Sequence, residues 1–466
     1  MTDTTVAFAS LPDLGSLLRK RVVSSVELTK FFMARLDRYG PRLNAVAAMT
    51  RERALASAQR ADADLASGID RGPLHGIPYG VKDLLAAKGA PTAWGAQPYR
   101  RQVFDYDATV IQKLEAAGAV LVAKLAMIEL AGGMGYNQAD ASYLGPCRNP
   151  WNTQYWTGGS SSGPGAAVAG GLVPFALGSE TSGSIINPST YCGITGLRPT
   201  YGRVSRHGAM ALSWTLDKIG PMCRSAQDAA VVLAVIAGRD PADPTSSRRP
   251  PPQAAQPRAR WRLAVIKGAT KKVQPEVAKN FAASLEALRA FADIGEVALP
   301  RYPYDAMIGA IIAAEGGAAF RRIIQDGRVQ TLRDPDGRRG GYSYMVTYAV
   351  DYVDAMRRRA PLRAAFDTLF ARYDALVAPS FATVALPIGV PFDKAYPGTE
   401  DGPFIPACNL AGVPAVTVPN GTGRHDLPTG LSFVGRAFAE SEMLALAGEF
   451  QARSSFHRGR PPLTAG

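Results

Sequence analysis

The chain has 466 residues, 47% of them hydrophobic and 20% charged, which is the composition of an ordinary globular protein. Its 52 Lys and Arg residues outnumber its 39 Asp and Glu residues, but no zinc-finger spacing, RNA-recognition motif or basic zipper accompanies the net charge of +13. The arginine clusters are therefore interpreted as solvated helix faces, and we expect no nucleic acid as a partner.

Four cysteines lie far apart and form no C-x-x-C pair, so the sequence favours neither a disulfide scaffold nor a zinc site. This usage is typical of a reducing compartment. The first residues lack the basic and apolar regions of a signal peptide, and the sequence has no run of about 18 apolar residues that would predict a membrane helix. We expect a cytoplasmic protein without a membrane partner.

Residues 1–68 are predicted to be helical. The segment SSVELTKFFMARLDRYG carries a capping box, with Ser24 as N-cap and Glu27 three residues later, and its helix is expected to end at Gly40. From residue 70 onward, short apolar runs alternate with helical segments, as in DATVIQKLEAAGAVLVAKL, where a helix stops at Gly118 before a buried strand. This alternation predicts an α/β fold with a largely parallel sheet.

The second half of the chain is predicted in three parts. Residues 240–260 are proline-rich and form either a linker or a long surface loop before the next strand. Residues 260–400 are expected to be mainly helical and to hold the substrate region, and residues 405–466 to form two strands, joined as in a hairpin, and a final helix. We expect a single domain over residues 1–466, with its core in residues 70–240.

Residues 157–185, TGGSSSGPGAAVAGGLVPFALGSETSGSI, combine many glycines and serines with one ionisable residue, Glu180. A flexible linker can have a similar composition, but the apolar centre AAVAGGLVPFALG is too hydrophobic to stay solvated. The two serine clusters are therefore expected to be held in packed structure.

A nucleophilic serine needs a base. The stretch 159–163 matches G-x-S-x-G, which would make Ser161 the nucleophile, but a polar, aromatic loop precedes it where that motif requires a strand. A candidate base is Lys82, in GIPYGVKDLLAA, because a buried lysine with a lowered pKa can act as a general base. Spacing alone favours the alternative, a surface ion pair between Lys82 and Asp83.

The motifs GIPYGVKD, GGSSSG and GSETSGSIINPSTYCGITGLRPTYGRVS, within residues 70–240, together resemble the amidase signature family. The C-terminal ACNLAGVPAVTVPNG…LPTGLSFVG resembles the strand pair of that family. The resemblance implies a large mixed, mostly parallel twisted sheet flanked by helices on both faces. It also implies a Ser–cis-Ser–Lys triad, in which Lys82 is the base, Ser160 the cis serine and Ser184 the nucleophile.

In this family Ser184 would form the acyl-enzyme, while Ser160 and Lys82 relay the proton. The backbone N–H groups of Thr181, Ser182, Gly183 and Ser184 would bind the oxyanion. The chemistry implies neither a cofactor nor a metal.

The sequence departs from the family after the nucleophile, where GSII replaces the GSIR of several members. Ile186 stands in place of an arginine, with Asn187 beside it, and both are expected in the substrate pocket. The expected substrates are therefore small neutral amides or carbamates, as in urethanases, with some esterase activity.

Residues 123–137 lack the TN-x-x-E signature common in the amidase component of the tRNA-dependent amidotransferase. That transferase role remains one alternative to a self-contained hydrolase, and a non-catalytic binding protein on the same fold is another. Whether the chain forms a homodimer stays open.

Overall fold

The computed structural model describes residues 3–256 and 258–464. Its strands are β1 Val46–Met49, β2 Pro78–Lys82, β3 Val120–Leu125, β4 Phe175–Glu180, β5 Thr195–Arg198, β6 Lys218–Cys223, β7 Trp261–Ile266, β8 Ala292–Val297, β9 Ala375–Pro379, β10 Ala415–Thr422 and β11 Pro428–Val434. They form one sheet in the order β1-β3-β2-β4-β6-β5-β10-β11-β9-β7-β8.

Helices precede, connect and follow these strands. They are α1 Asp3–Ala7, α2 Leu11–Arg19, α3 Ser25–Leu43, α4 Arg51–Ala66, α5 Thr109–Ala116, α6 Ser162–Ala169, α7 Ile186–Cys192, α8 Ala226–Ile236, α9 Pro275–Arg289, α10 Tyr304–Ala319, α11 Arg321–Gln325, α12 Pro335–Tyr344, α13 Ala349–Arg372, α14 Phe392–Ala395, α15 Phe404–Ala411 and α16 Glu440–Ala452. Residues 240–260 contain no helix or strand among those described and lead into β7, as expected.

Helices cover both faces of the sheet. Successive side chains of a strand point to opposite faces, and those of β4 enter two different hydrophobic cores. Phe175 and Leu177 of β4 lie in the core that also holds side chains of α2, α8 and α16. Ala176, between them, lies in the core formed with the alanine-rich helix α6. The predicted mixed sheet flanked by helices is confirmed.

The predicted predominance of parallel pairing needs correction. Parallel pairs join β2 to β3 and β4, and β7 to β8 and β9. The pairs β1/β3, β4/β6, β5/β6, β5/β10, β10/β11 and β9/β11 are antiparallel. A crossover helix makes neighbouring strands parallel, whereas the centre of this sheet is built from returning strands such as the hairpin β10/β11.

Two details of the N-terminal prediction also change. The capping box of Ser24 and Glu27 is present, but α3 continues through Gly40 to Leu43. A Cβ at Gly40 would lie 2.8 Å from Val46 Cγ2, so this glycine permits a close approach of β1 and does not end the helix. Residues 1–68 are therefore not purely helical, because β1 forms the edge of the sheet.

Candidate active site

Two parallel strands bring the predicted lysine close to the serine clusters. Lys82 is the last residue of β2, and its parallel neighbour β4 ends at Glu180. Parallel neighbours have their carboxyl ends at the same edge of a sheet. Ser184 follows β4 by four residues, and α6 begins directly after Ser160 and Ser161.

Lys82 is completely buried and lies against two serine hydroxyls. Its Nζ is 2.7 Å from Ser160 Oγ and 2.9 Å from Ser179 Oγ, and it donates to the Ser179 carbonyl over 3.3 Å. Burial lowers the pKa of Lys82 to about 7, although the charges of Asp217 and Glu180 act in the opposite direction. An amine with this pKa can accept a proton from a neighbouring hydroxyl near neutral pH.

Backbone contacts join the two serine clusters. The peptide bond between Gly159 and Ser160 is cis, as the resemblance implies. Gly159 N–H donates to Asn187 Oδ1 over 2.9 Å, and Ser161 N–H donates to the Ser184 carbonyl over 3.2 Å. The segment that carries Ser160 therefore lies directly against the turn that carries Ser184. The exposed fraction of Ser184 is 8%.

Ser161, the alternative nucleophile, is engaged elsewhere. Its hydroxyl donates to the Ser179 carbonyl over 3.1 Å and accepts from the Ser179 N–H over 3.2 Å. The side chain is completely buried, and an irregular segment precedes it instead of a strand. This serine clamps α6 to β4, so the geometry does not favour it as a nucleophile.

The turn between β4 and α7 offers free hydrogen-bond donors. Gly183 adopts a φ of +89°, in the left-handed region that favours glycine. Within the described residues, the backbone N–H groups of residues 181–184 have no hydrogen-bond acceptor. Donors of this kind can bind the oxygen of a carbonyl as it becomes negative.

Glu180 holds the turn in place through hydrogen bonds to its backbone. One of its carboxylate oxygens accepts from the N–H groups of Ile185 and Ile186, over 2.9 and 3.0 Å, and the other from Arg198 and Asn409. Burial acts to raise the pKa of Glu180, but Arg198, Lys218 and these hydrogen bonds lower it to about 2. The carboxylate is therefore charged and fully paired.

Lys218, the first residue of β6, and Asp217 directly before it support the same turn. Asp217 accepts from Thr181 Oγ1 over 2.6 Å and from two backbone N–H groups of the preceding loop. Lys218 Nζ is 2.6 Å from Asn409 Oδ1 and 3.3 Å from the Thr181 carbonyl. Burial lowers the pKa of Lys218 well below its usual value.

Sequence reasoning missed Ser179, Asp217, Lys218, Arg198 and Asn409. One signal was available, since Glu180 is the single ionisable residue of an apolar stretch and a buried carboxylate needs partners. The sequence does not show which residues those partners are, because Asn409, for example, lies 229 positions away along the chain.

A cavity of about 440 Å³ opens beside the turn and is lined by Ser182, Gly183 and Asn187. Its aromatic lining residues are Tyr136, Trp156, Tyr191, Phe381, Phe392 and Tyr396. Trp156 stacks on Phe392 with ring centroids 4.6 Å apart, and a Cβ at Gly159 would lie 2.8 Å from Trp156 Cζ2. An aromatic wall therefore adjoins the segment that carries Ser160.

The expectation for Ile186 needs correction. This side chain is completely buried, in a hydrophobic cluster that includes Leu216, Ile308 and Phe404, and it does not line the cavity. As the first residue of α7 it turns toward the core, whereas Asn187 faces the cavity. The absence of an arginine at Ile186 therefore cannot by itself decide which substrates enter.

Within the described part of the chain, no three His, Cys, Asp or Glu side chains are grouped to hold a metal ion. No helix in that part of the chain has the length and hydropathy needed to cross a bilayer.

Known proteins resemble this chain over nearly its full length. The Amidase family profile matches residues 27–444. A relative from Roseiflexus sp. (strain RS-1), named as the A subunit of glutamyl-tRNA(Gln) amidotransferase, is 38% identical, over 97% of this chain and 98% of its own. The solved native peptide amidase from Stenotrophomonas maltophilia is 30% identical, with a TM-score of 0.83, over 97% of this chain and 98% of its own.

A further solved structure comes from work on a vestigial protein complex and the origins of an s-triazine catabolic enzyme. It is 30% identical to this chain, with a TM-score of 0.89, and covers 97% of this chain and 100% of its own. The family profile spans most of the chain, and the relative at 38% identity covers 97% of it. The chain belongs to the amidase family, in its amidase signature group, whose enzymes act on C–N bonds.

Proposed function

We propose that the protein hydrolyses the acyl C–N bond of neutral amides and carbamates through an acyl-enzyme on Ser184. The observation that carries this proposal is the buried amine of Lys82, with a pKa of about 7, placed 2.7 Å from Ser160 Oγ. A surface ion pair of Lys82 with Asp83 does not compete, because Asp83 is bonded to Lys124 over 3.0 Å.

The reaction begins when Ser184 Oγ attacks the carbonyl carbon. The Ser184 proton passes to Ser160, whose own proton passes to the neutral amine of Lys82. The C–N bond then breaks, and the same relay returns a proton to the departing amine. Water next attacks the Ser184 ester, losing its proton to the relay, and the acid and the free serine are released.

The turn 181–184 supports the charged intermediate. Its free N–H groups would donate to the oxyanion, and loss of one such donor costs about 3–4 kcal/mol of barrier. Glu180 and Asp217 keep this turn in place before substrate arrives, because their bonds to it do not depend on a ligand. The donors therefore need little reorganisation during the reaction.

A preference for neutral over anionic substrates is supported by the charges of the cavity. No Lys, Arg or His is among the described residues that line it, so a substrate carboxylate would enter without a cationic partner. The aromatic side chains offer apolar surface for aryl or alkyl groups instead. Esters, which need no proton on the leaving group, would be accepted to some extent.

The test is hydrolysis of anilides, carbamates, primary amides and esters by the purified protein, with mass spectrometry of the intact chain after rapid quenching. We expect anilide and carbamate turnover, and a mass increase equal to the acyl group on the peptide that contains Ser184. An acyl group found on any other serine would overturn the assignment.

A second candidate function is that of the amidase component of a glutamyl-tRNA(Gln) amidotransferase. It is favoured by relatives that carry the name of that transferase, at up to 38% identity over almost the whole chain. Isolation of the native complex and measurement of ammonia release from glutamine would distinguish the two. Partner subunits and efficient glutamine hydrolysis would support the transferase.

A further inference from the structure

The cavity beside Ser182 and Gly183 carries an unbalanced charge. Four carboxylates line it, namely Asp305, Asp393, Glu400 and Asp401. Among the described lining residues there is no basic side chain to balance them. The cavity is thus acidic although the whole chain carries a net charge of +13.

The four carboxylates differ in their partners. Glu400 is paired with Lys272 over 2.5 Å, which offsets its charge. Asp393 accepts from the amide of Asn137 over 2.6 Å, and Asp401 accepts from the Ala382 N–H over 2.7 Å. In the described structure neither of these two aspartates forms an ion pair.

Asp401 is the carboxylate most closely connected to the reactive turn. It binds Ala382, whose neighbour Phe381 lies 3.6 Å from the position of a Cβ at Gly183. Ile405, in the helix that follows Asp401, lies 3.5 Å from the same position. Asp401 is exposed and lines the cavity, yet desolvation by the surrounding protein raises the pKa of its carboxyl, an effect that a nearby cation would counteract.

Lys267 and Lys271 are the basic residues that could offset the charge of Asp401, because they line a second cavity of about 390 Å³ that Asp401 also lines. Neither forms an ion pair with Asp401 among the described contacts. Within the described residues, the Asp401 carboxylate therefore lines both cavities without a cationic partner.

Aromatic rings complete the chemistry of this site. Trp156 and Phe392 are stacked, and Tyr136 packs edge-on against both, with centroids 6.1 and 5.8 Å away. A carboxylate together with aromatic faces is an arrangement that binds ammonium groups, through charge and through the ring quadrupole.

We infer that this cavity selects amides that carry an ammonium group several bonds from the scissile carbonyl, with Asp401 as the main charge partner. The inference rests on the proposed amide hydrolysis and adds to it a preference for cationic over neutral substrates. Glutamine also carries an ammonium group, but the carboxylate on the same carbon would face the acidic lining and offset that attraction, so glutamine is a poor match for this cavity.

Two isosteric substrate pairs test the inference, one for each side of the scissile bond. The first compares the 4-nitroanilides of 6-aminohexanoic and heptanoic acids, and the second compares N-(5-aminopentyl)acetamide with N-hexylacetamide. In at least one pair we expect kcat/KM to be about tenfold higher for the cationic member. Ratios within twofold of one in both pairs would overturn the inference.

Asp401→Asn keeps the oxygen that accepts from Ala382 and removes the charge. We expect it to reduce the cationic-to-neutral ratio to below about threefold. Glu286→Gln is the control, because it removes the same charge from an exposed residue that does not line the cavity, and it should keep the ratio of the unmodified protein. Equal ratios in the two variants would assign the selectivity elsewhere and contradict the role of Asp401.

Competitive inhibition provides a measurement that needs no variant. Hexylammonium should inhibit the unmodified protein at a concentration about tenfold lower than 1-hexanol, and equal inhibition would count against the inference. Failure of the proposed function has a different result, namely no turnover of any amide, or equal turnover by the unmodified protein and Ser184→Ala.

Discussion

The catalytic edge of the sheet and the rim of the cavity are built in opposite ways. At the edge, Lys82, Ser160 and Glu180 are completely buried, and each has defined hydrogen-bond partners. At the rim, Asp305 and Asp401 are exposed to solvent, and loops or helix ends from distant parts of the chain carry them. In the proposed function, the edge would determine which bond is broken and the rim which substrate is held.

This difference has a physical basis. Burial at the edge strengthens electrostatic interactions and lowers the pKa of Lys82 to about 7, which a solvated lysine would not achieve. Charges at the rim are screened by water and contribute less per residue. We expect changes at the edge to remove activity or stability, and changes at the rim to alter selectivity.

The largest effect is expected for Ser184→Ala, because this change removes the atom that forms the acyl-enzyme. Turnover of anilides and carbamates should fall more than about a hundredfold, with the thermal unfolding midpoint unchanged. Initial rates and circular dichroism of the same preparation provide the measurement. If more than about a hundredth of the activity remained, the nucleophile would lie elsewhere, and Ser161 would be the first serine to examine.

Lys82→Met should follow closely, because it removes the proton acceptor while keeping an unbranched side chain in the same space. We expect a loss of about a hundredfold or more in kcat, since general base catalysis contributes factors of this size. Lys82→Arg is the informative companion, because a guanidinium stays protonated and should not restore turnover. Recovery of activity by the arginine variant would contradict a neutral amine as the base.

The same base predicts the pH dependence of the unmodified protein. Below its pKa of about 7 Lys82 is protonated and cannot accept a proton, so kcat/KM should fall as the pH decreases through 7. Above about pH 8 the rate should reach a plateau. A profile of kcat/KM for a neutral anilide from pH 5.5 to 9.5 tests this, and a rate that is constant between pH 6 and 8 would exclude Lys82 as the titrating base.

Glu180→Gln should affect stability as well as turnover. It leaves Arg198 buried without its charged partner, and breaking a buried pair in this way costs about 3–5 kcal/mol. Glu276→Gln is the control, because its partner Arg424 is 43% exposed and such pairs contribute about 1 kcal/mol or less. Free energies of unfolding in urea would compare the two, and equal losses would contradict the expected difference between a buried and an exposed ion pair.

Much of the fold was predictable because it depends on local signals. The capping box of α3, the stop at Gly118 and the final strand pair all arise from residues that are close in sequence. Strand β1 was not predictable from its four residues VAAM, since it exists by pairing with β3, more than 70 positions later. The antiparallel centre of the sheet likewise depends on which strands become neighbours.

The candidate site likewise contains residues that local motifs predict and residues that only long-range packing places. The resemblance supplied Lys82, Ser160 and Ser184, and the cis peptide bond before Ser160 agrees with it. The side chain of Ile186 points into the core because α7 packs against distant residues such as Ile405, a contact that spacing does not contain. The acids of the rim were missed for the same reason, as Asp305 and Asp401 meet only in the folded chain.

The smallest expected effect concerns a carboxylate on the substrate, and it tests the rim without any mutation. The 4-nitroanilide of heptanoic acid should be hydrolysed with a higher kcat/KM than that of adipic acid, whose free carboxylate would face four acids. We expect a preference of about 2 kcal/mol at low salt, since an anion there lacks a partner. Raising NaCl to about 0.5 M should reduce the preference, because exposed charges such as Asp305 are screened, while the rate for the neutral anilide stays nearly constant. The quantity to compare is the ratio of kcat/KM for the two anilides at each salt concentration. A preference for the adipic acid anilide, at either salt concentration, would show that a cationic group pairs with the substrate carboxylate and would favour the transferase over the hydrolase.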